Sequence, residues 1–123
     1  MFSFFKRRDA TIYPKDEIGD ALYEQFPNPK KLPAKVAIWY DVYFKREIDA
    51  DRLASHLENR KIQIVRDYDR EPGENLGPWS IDFEIPVKAR HLDMMMTHAE
   101  TKRMIKSFDG QVPSWHVSQY EEN

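Results

Sequence analysis

Val36-Ala-Ile-Trp-Tyr-Asp-Val-Tyr-Phe44 sets Val36, Ile38, Tyr40, Val42 and Phe44 on one side of an alternation, against Ala37, Trp39, Asp41 and Tyr43 on the other. A period of two is the mark of a strand with one buried face, and the uniformly apolar set is assigned to the core. A helix starting near Asp49 follows, with Leu53, Ala54 and Leu57 inward and Arg52, Glu58 and Arg60 toward water. Two more strands are predicted at Ile62–Tyr68 and Trp79–Val87, joined by the breaker-rich turn Asp69-Arg-Glu-Pro-Gly-Glu-Asn-Leu-Gly-Pro78. A second helix runs to about Phe108 and a last strand lies near Ser114–Tyr120. The order β-α-β-β-α-β predicts an α+β, ferredoxin-like two-layer sandwich: a four-stranded antiparallel sheet with helices on one face and the other face open. Pro14, Asp16 and Glu17 mark an extra amino-terminal helix, whose apolar stripe is Ile18, Ala21, Leu22 and Phe26. Residues 1–33 are read as tip, helix and linker, and 34–123 as the domain proper, the whole being one globular unit.

Local signals refine the ends. Asp49 is the expected N-cap of the first long helix, with Ile48 placed to pack on Leu53. Thr97-His-Ala-Glu100 has capping-box spacing, which predicts regular helix only from His98 and leaves Met94 to Met96 in the approach. Leu92, Met95, Met96 and Ala99 form one apolar stripe, and Met104, Ile105 and Phe108 another. The methionine run is read as core filling. Gly110 is expected to supply the left-handed cap. Pro86 predicts that its strand is near an edge or has reached its end there.

Composition narrows the class. The chain has 123 residues, 41% hydrophobic and 33% charged, with a formal charge of −2 and no cysteine. That length suits one domain with one core. The charge argues against a dedicated nucleic-acid binder. The lack of cysteine excludes disulfides and thiolate catalysis and suits a cytoplasmic setting. Met1-Phe-Ser-Phe-Phe-Lys-Arg-Arg8 puts aromatics before cations, the reverse of a signal peptide. It is read as a frayed or core-tucked end without stable membrane association.

No catalytic pattern stands out. His56, His91, His98 and His116 make no metal-ligand spacing and are read as surface or half-buried. Asp82 and Glu84 share a strand face, a pair able to hold Mg²⁺, but no phosphate-binding loop accompanies them. Neither metal, cofactor nor enzymatic activity is expected. The uncovered sheet face is expected to present Trp39, Asp41 and Tyr43 from the first strand and Asp82 and Glu84 from the third. Gln63 and Asp67 would come from the second strand, and His116 and Ser118 from the last. Carboxylates beside the aromatics repel phosphate, which argues against direct nucleic-acid binding. They suit a basic protein partner, with Trp39 and Tyr43 as anchors and the acids steering approach.

Lys106-Ser-Phe-Asp-Gly-Gln-Val-Pro-Ser-Trp115, together with the strand order and the leading helix, resembles the regulator of ribonuclease activity B family over about residues 34 to 120. In that family the second helix runs into a G-G-x-Y-D-G-W segment. Gly110 matches its second glycine and Trp115 its tryptophan, while Asp109, Val112, Pro113 and Ser114 depart from it. The family's acidic tail has no counterpart in Glu121-Glu122-Asn123. The resemblance implies a non-enzymatic inhibitor of the endoribonuclease RNase E. An immunity protein neutralising a nuclease toxin fits the same acidic face, and a small structural or ligand-binding module remains the alternative.

Overall fold

The computed structural model describes residues 8–121, so the reading of Met1 to Arg7 lies outside the described residues. The sheet is built around β1 (Lys35–Phe44), which pairs antiparallel with β3 (Trp79–Lys88) on one side and with β4 (Gln111–Gln119) on the other. β2 (Ile64–Tyr68) closes the far side of β3, giving the order β2-β3-β1-β4. With α1 (Glu17–Gln25), α2 (Glu47–Asn59) and α3 (His91–Ser107), the described residues form an α+β structure with a four-stranded antiparallel sheet and three helices.

The alternation in β1 sorts its side chains as periodicity demands. Val36, Ile38, Tyr40, Val42 and Phe44 are all buried, and opposite Val36 to Val42 stand the buried Val87, Ile85, Phe83 and Ile81 of β3. Leu53, Ala54 and Leu57 of α2 and Met94 and Ile105 of α3 complete this core, and each large apolar side chain so buried contributes about 1.5–3 kcal/mol. Ile18 and Leu22 of α1 belong to the same cluster, as does Tyr13, whose hydroxyl donates to the Phe26 carbonyl at 2.6 Å. Residues 8–33 therefore share one core with the rest.

Several local expectations are corrected. Asp49 is not an N-cap: α2 begins at Glu47, and the buried Asp49 takes two hydrogen bonds from Arg46, at 2.9 and 3.0 Å. That guanidinium holds the Asp49 carboxyl below its ordinary pKa despite burial. Ile48 is largely exposed instead of packed. α3 begins at His91, not His98, so the three methionines are helical, and only Met94 is buried. The inward stripe is Met94, His98, Thr101 and Ile105; Leu92, Met95 and Met96 face outward. The histidine among them has a partner at one nitrogen, Nδ1, 2.8 Å from the Tyr40 hydroxyl, while its buried Nε2 makes no hydrogen bond and lies 3.6 Å from Glu17 Oε1. His98 is thus buried, contrary to expectation, and burial lowers its pKa.

The left-handed residue after α3 is Asp109, with φ 62°, while no glycine has positive φ. Gly110 is needed for another reason: a Cβ there would stand 2.7 Å from Ile105 Cγ2 and 2.8 Å from Val42 Cγ1. β2 starts at Ile64 and β4 already at Gln111, so Pro113 sits inside a strand. β3 is an interior strand, but β2 covers it only from Trp79 to Phe83. Pro86 therefore lies where β3 has lost one neighbour, and a missing N–H can be accommodated.

Candidate functional site

Cross-strand register decides what shares the face opposite α2 and α3. Trp39 stands across from Glu84 on one side and His116 on the other; Asp41 stands across from Asp82 and Ser114; Tyr43 stands across from Ser80. Directly opposed residues project to the same side of an antiparallel pair. All six expected residues, Trp39, Asp41, Tyr43, Asp82, Glu84 and His116, are thus on one face, carried by three strands. Asp67 reaches it from β2 opposite Ser80, and Val65 takes the place expected for Gln63, which precedes the strand. α1 packs against β4 and α3, and the indole of Trp39 remains half-buried.

At the centre is a hollow of about 230 Å³, lined by Trp39, Tyr40, Asp41, Asp82, Ser114 and His116. The Trp39 and His116 rings are stacked, parallel to within 11° with centroids 6.3 Å apart. Asp41 accepts from the Tyr43 hydroxyl at 3.1 Å, which orients its carboxyl. Asp82 Oδ1 is buried and has no hydrogen-bond partner. Partial burial, then the Asp41 carboxyl across the strand pair and Asp67 behind it, push the Asp82 carboxyl up to about 7. Two adjacent carboxyls in one half-dry site hold a proton between them, because both cannot ionise cheaply.

Two lining residues were not expected at this face: Tyr40, assigned to the core, and Ser114. Ser114 stood at the first position of the expected last strand, and its parity with His116 was a usable signal that went unread. Among the described residues, no three His, Asp or Glu side chains are grouped to hold a metal ion. The hollow can accept hydrogen bonds and positive charge, and it offers an aromatic surface beside them.

No family model and no curated protein matches the chain. The geometry must carry the functional reading. Among the described residues no helix is long and apolar enough to cross a membrane.

Proposed function

We propose that this chain is a non-enzymatic inhibitor that acts in the cytoplasm by laying its acidic, aromatic sheet face on a basic surface of a nucleic-acid-processing enzyme. The observation that carries this reading is the convergence of Trp39, Asp41, Tyr43, Asp82, Glu84 and His116 on one face. Four strands at about 4.8 Å spacing and ten residues at about 3.3 Å give a footprint of roughly 600 Å². With projecting side chains that approaches the roughly 800 Å² per partner of a standard interface. The hollow on this face, about 230 Å³, is smaller than the ~300–1,000 Å³ of typical small-molecule pockets, so this face suits a protein surface better than a small ligand. The resemblance to the ribonuclease-regulator family supports an RNase E-type target, and a toxin nuclease is the second setting for the same surface. We also assign the fold to the ferredoxin-like class, because each crossover helix, α2 and α3, links strands separated by one other strand.

The test compares the protein with a Trp39→Ala, Asp82→Lys, Glu84→Lys variant as bait in lysate of the native host, followed by titration of the purified captured protein. The variant is expected to keep its circular dichroism spectrum and lose at least about 100-fold in affinity, given the size of aromatic hot spots and of like-charge repulsion. Equal affinity of both baits for the purified partner would refute the assignment of this face.

A further inference from the structure

We propose that the hollow at the centre of the sheet face is a guanidinium site, in which one arginine side chain of the partner lies flat on Trp39 and donates hydrogen bonds to Asp41 and Asp82. The inference rests on the docking role proposed for this face and names the group that the face recognises.

Three features point to a cation, and a planar one. Asp82 Oδ1 is buried and receives no hydrogen bond from an N–H or hydroxyl of the protein; in the free protein its relief is the proton shared with Asp41, which incoming N–H groups would replace. Asp41 and Asp82 are directly opposed on neighbouring strands, so their carboxyl groups present several acceptors to one entering fork. The stacked rings of Trp39 and His116 both border the hollow, and a guanidinium stacks on an aromatic face while an ammonium, compact and strongly hydrated, gains less. Carboxylates face the hollow from three strands, Asp41 on β1, Asp67 on β2, and Asp82 and Glu84 on β3, beside the polar Tyr43, Ser114 and His116, while Lys35 and Lys88, opposed on the same face, stand at the end of β1 and β3 away from Tyr43.

In the empty site the carboxyl pair retains a proton near neutral pH. A bound guanidinium supplies the positive charge in its place, so binding releases that proton and weakens as pH falls. The proton goes to solvent and no covalent bond changes.

The probe is the capped peptide acetyl-Gly-Arg-Gly-amide, titrated against the intact protein by two-dimensional NMR, with the Lys and citrulline peptides as controls. Saturable shifts are expected at the Trp39 indole N–H and at the amides of Asp41, Asp82 and Ser114. The Arg peptide should bind at least about fivefold more tightly than the Lys peptide, and citrulline not at all. Asp82→Asn, nearly isosteric, should weaken binding about tenfold while preserving the spectrum elsewhere. Trp39→Ala should weaken it about fivefold. Lowering the pH from 8 to 5.5 should weaken it about tenfold. Equal Arg and Lys affinity, indifference to Asp82→Asn, or shifts centred elsewhere would overturn the site. So would stronger, localised shifts at these residues with calcium chloride or with an oligothymidine, which would reassign the hollow to a metal or to nucleic acid. If the Arg peptide fails but the triple variant still loses its captured protein, the docking face stands without this pocket. If the peptide binds but both baits hold the partner equally, the pocket stands and the docking role falls.

Discussion

At the scale of single residues, burial and charge pull two titrating groups in opposite directions. The Asp82 carboxyl is raised from 3.8 to about 7, so the folded protein holds a proton that the unfolded chain has lost in that window. Its contribution to stability is complete below about pH 4 and disappears as the pH rises through 7. Asp82→Asn removes that dependence. The variant is expected to be more stable than the parent at pH 8 by roughly 1–2 kcal/mol, after allowance for screening at a half-exposed site, and to show no such gain at pH 4. Urea unfolding at the two pH values checks this, and an equal difference at both would contradict it. His98 works the other way. Its pKa is lowered, chiefly by burial, so the stability it supports is present above its ordinary value of 6.5 and is lost as the pH falls.

At the scale of elements, both long helices end in the same way. After α2 the Ile62 N–H donates to the Leu57 carbonyl at 3.0 Å and the Lys61 N–H to the Glu58 carbonyl at 2.9 Å; after α3 Gly110 and Asp109 do the same to Ile105 and Lys106. This pairing places a left-handed residue just past each helix, and here it is Lys61 (φ 61°) and Asp109 (φ 62°). Lysine has a Cβ that opposes this conformation. Lys61→Gly is expected to raise stability by about 0.5–1 kcal/mol, part of the relief being offset by glycine's freedom in the unfolded chain. Thermal unfolding measures it, and a lowered Tm would show that the Lys61 side chain itself is needed. The helix face that escaped sequence reading was that of α3. Two apolar stripes fit its periodicity, and Leu92, Met95, Met96 and Ala99 gave the better pattern yet face outward. The buried stripe contains His98 and Thr101, which no hydrophobic count selects.

At the scale of the molecule, one core ties the leading helix to the sheet. Leu22 of α1 is fully buried beside Tyr13 in the same cluster as β1. Leu22→Ala is therefore expected to destabilise the whole protein by about 2–5 kcal/mol in a single cooperative transition. A separate early transition confined to α1 would instead make residues 8–33 an independent unit. The formal charge of −2 hides a division of charge. Carboxylates gather at the middle of the sheet face and along exposed Glu17, Asp20 and Glu24 of α1, while exposed Lys35 and Lys88 stand at one end of that face and Lys102, Arg103 and Lys106 line the far part of α3. Under the proposed docking role, this charge distribution would steer a basic partner toward the carboxylates of the sheet before contact, since fields of this kind act over roughly a Debye length of 8–10 Å.

The amino-acid order by itself determined the succession of strands and helices and the strands' inward and outward parity, and hence the six residues of the sheet face, though not where β2 and β4 begin. Period-two alternation is a local property, and a single slip would turn every apolar side chain of β1 or β3 to water. It could not determine which stripe of α3 is buried, where α2 and α3 begin, or that Asp41, Asp82 and Ser114 meet around one hollow. Those depend on the register between strands distant in the chain and on polar partners such as Tyr40 for His98. Only the packed structure brings them together.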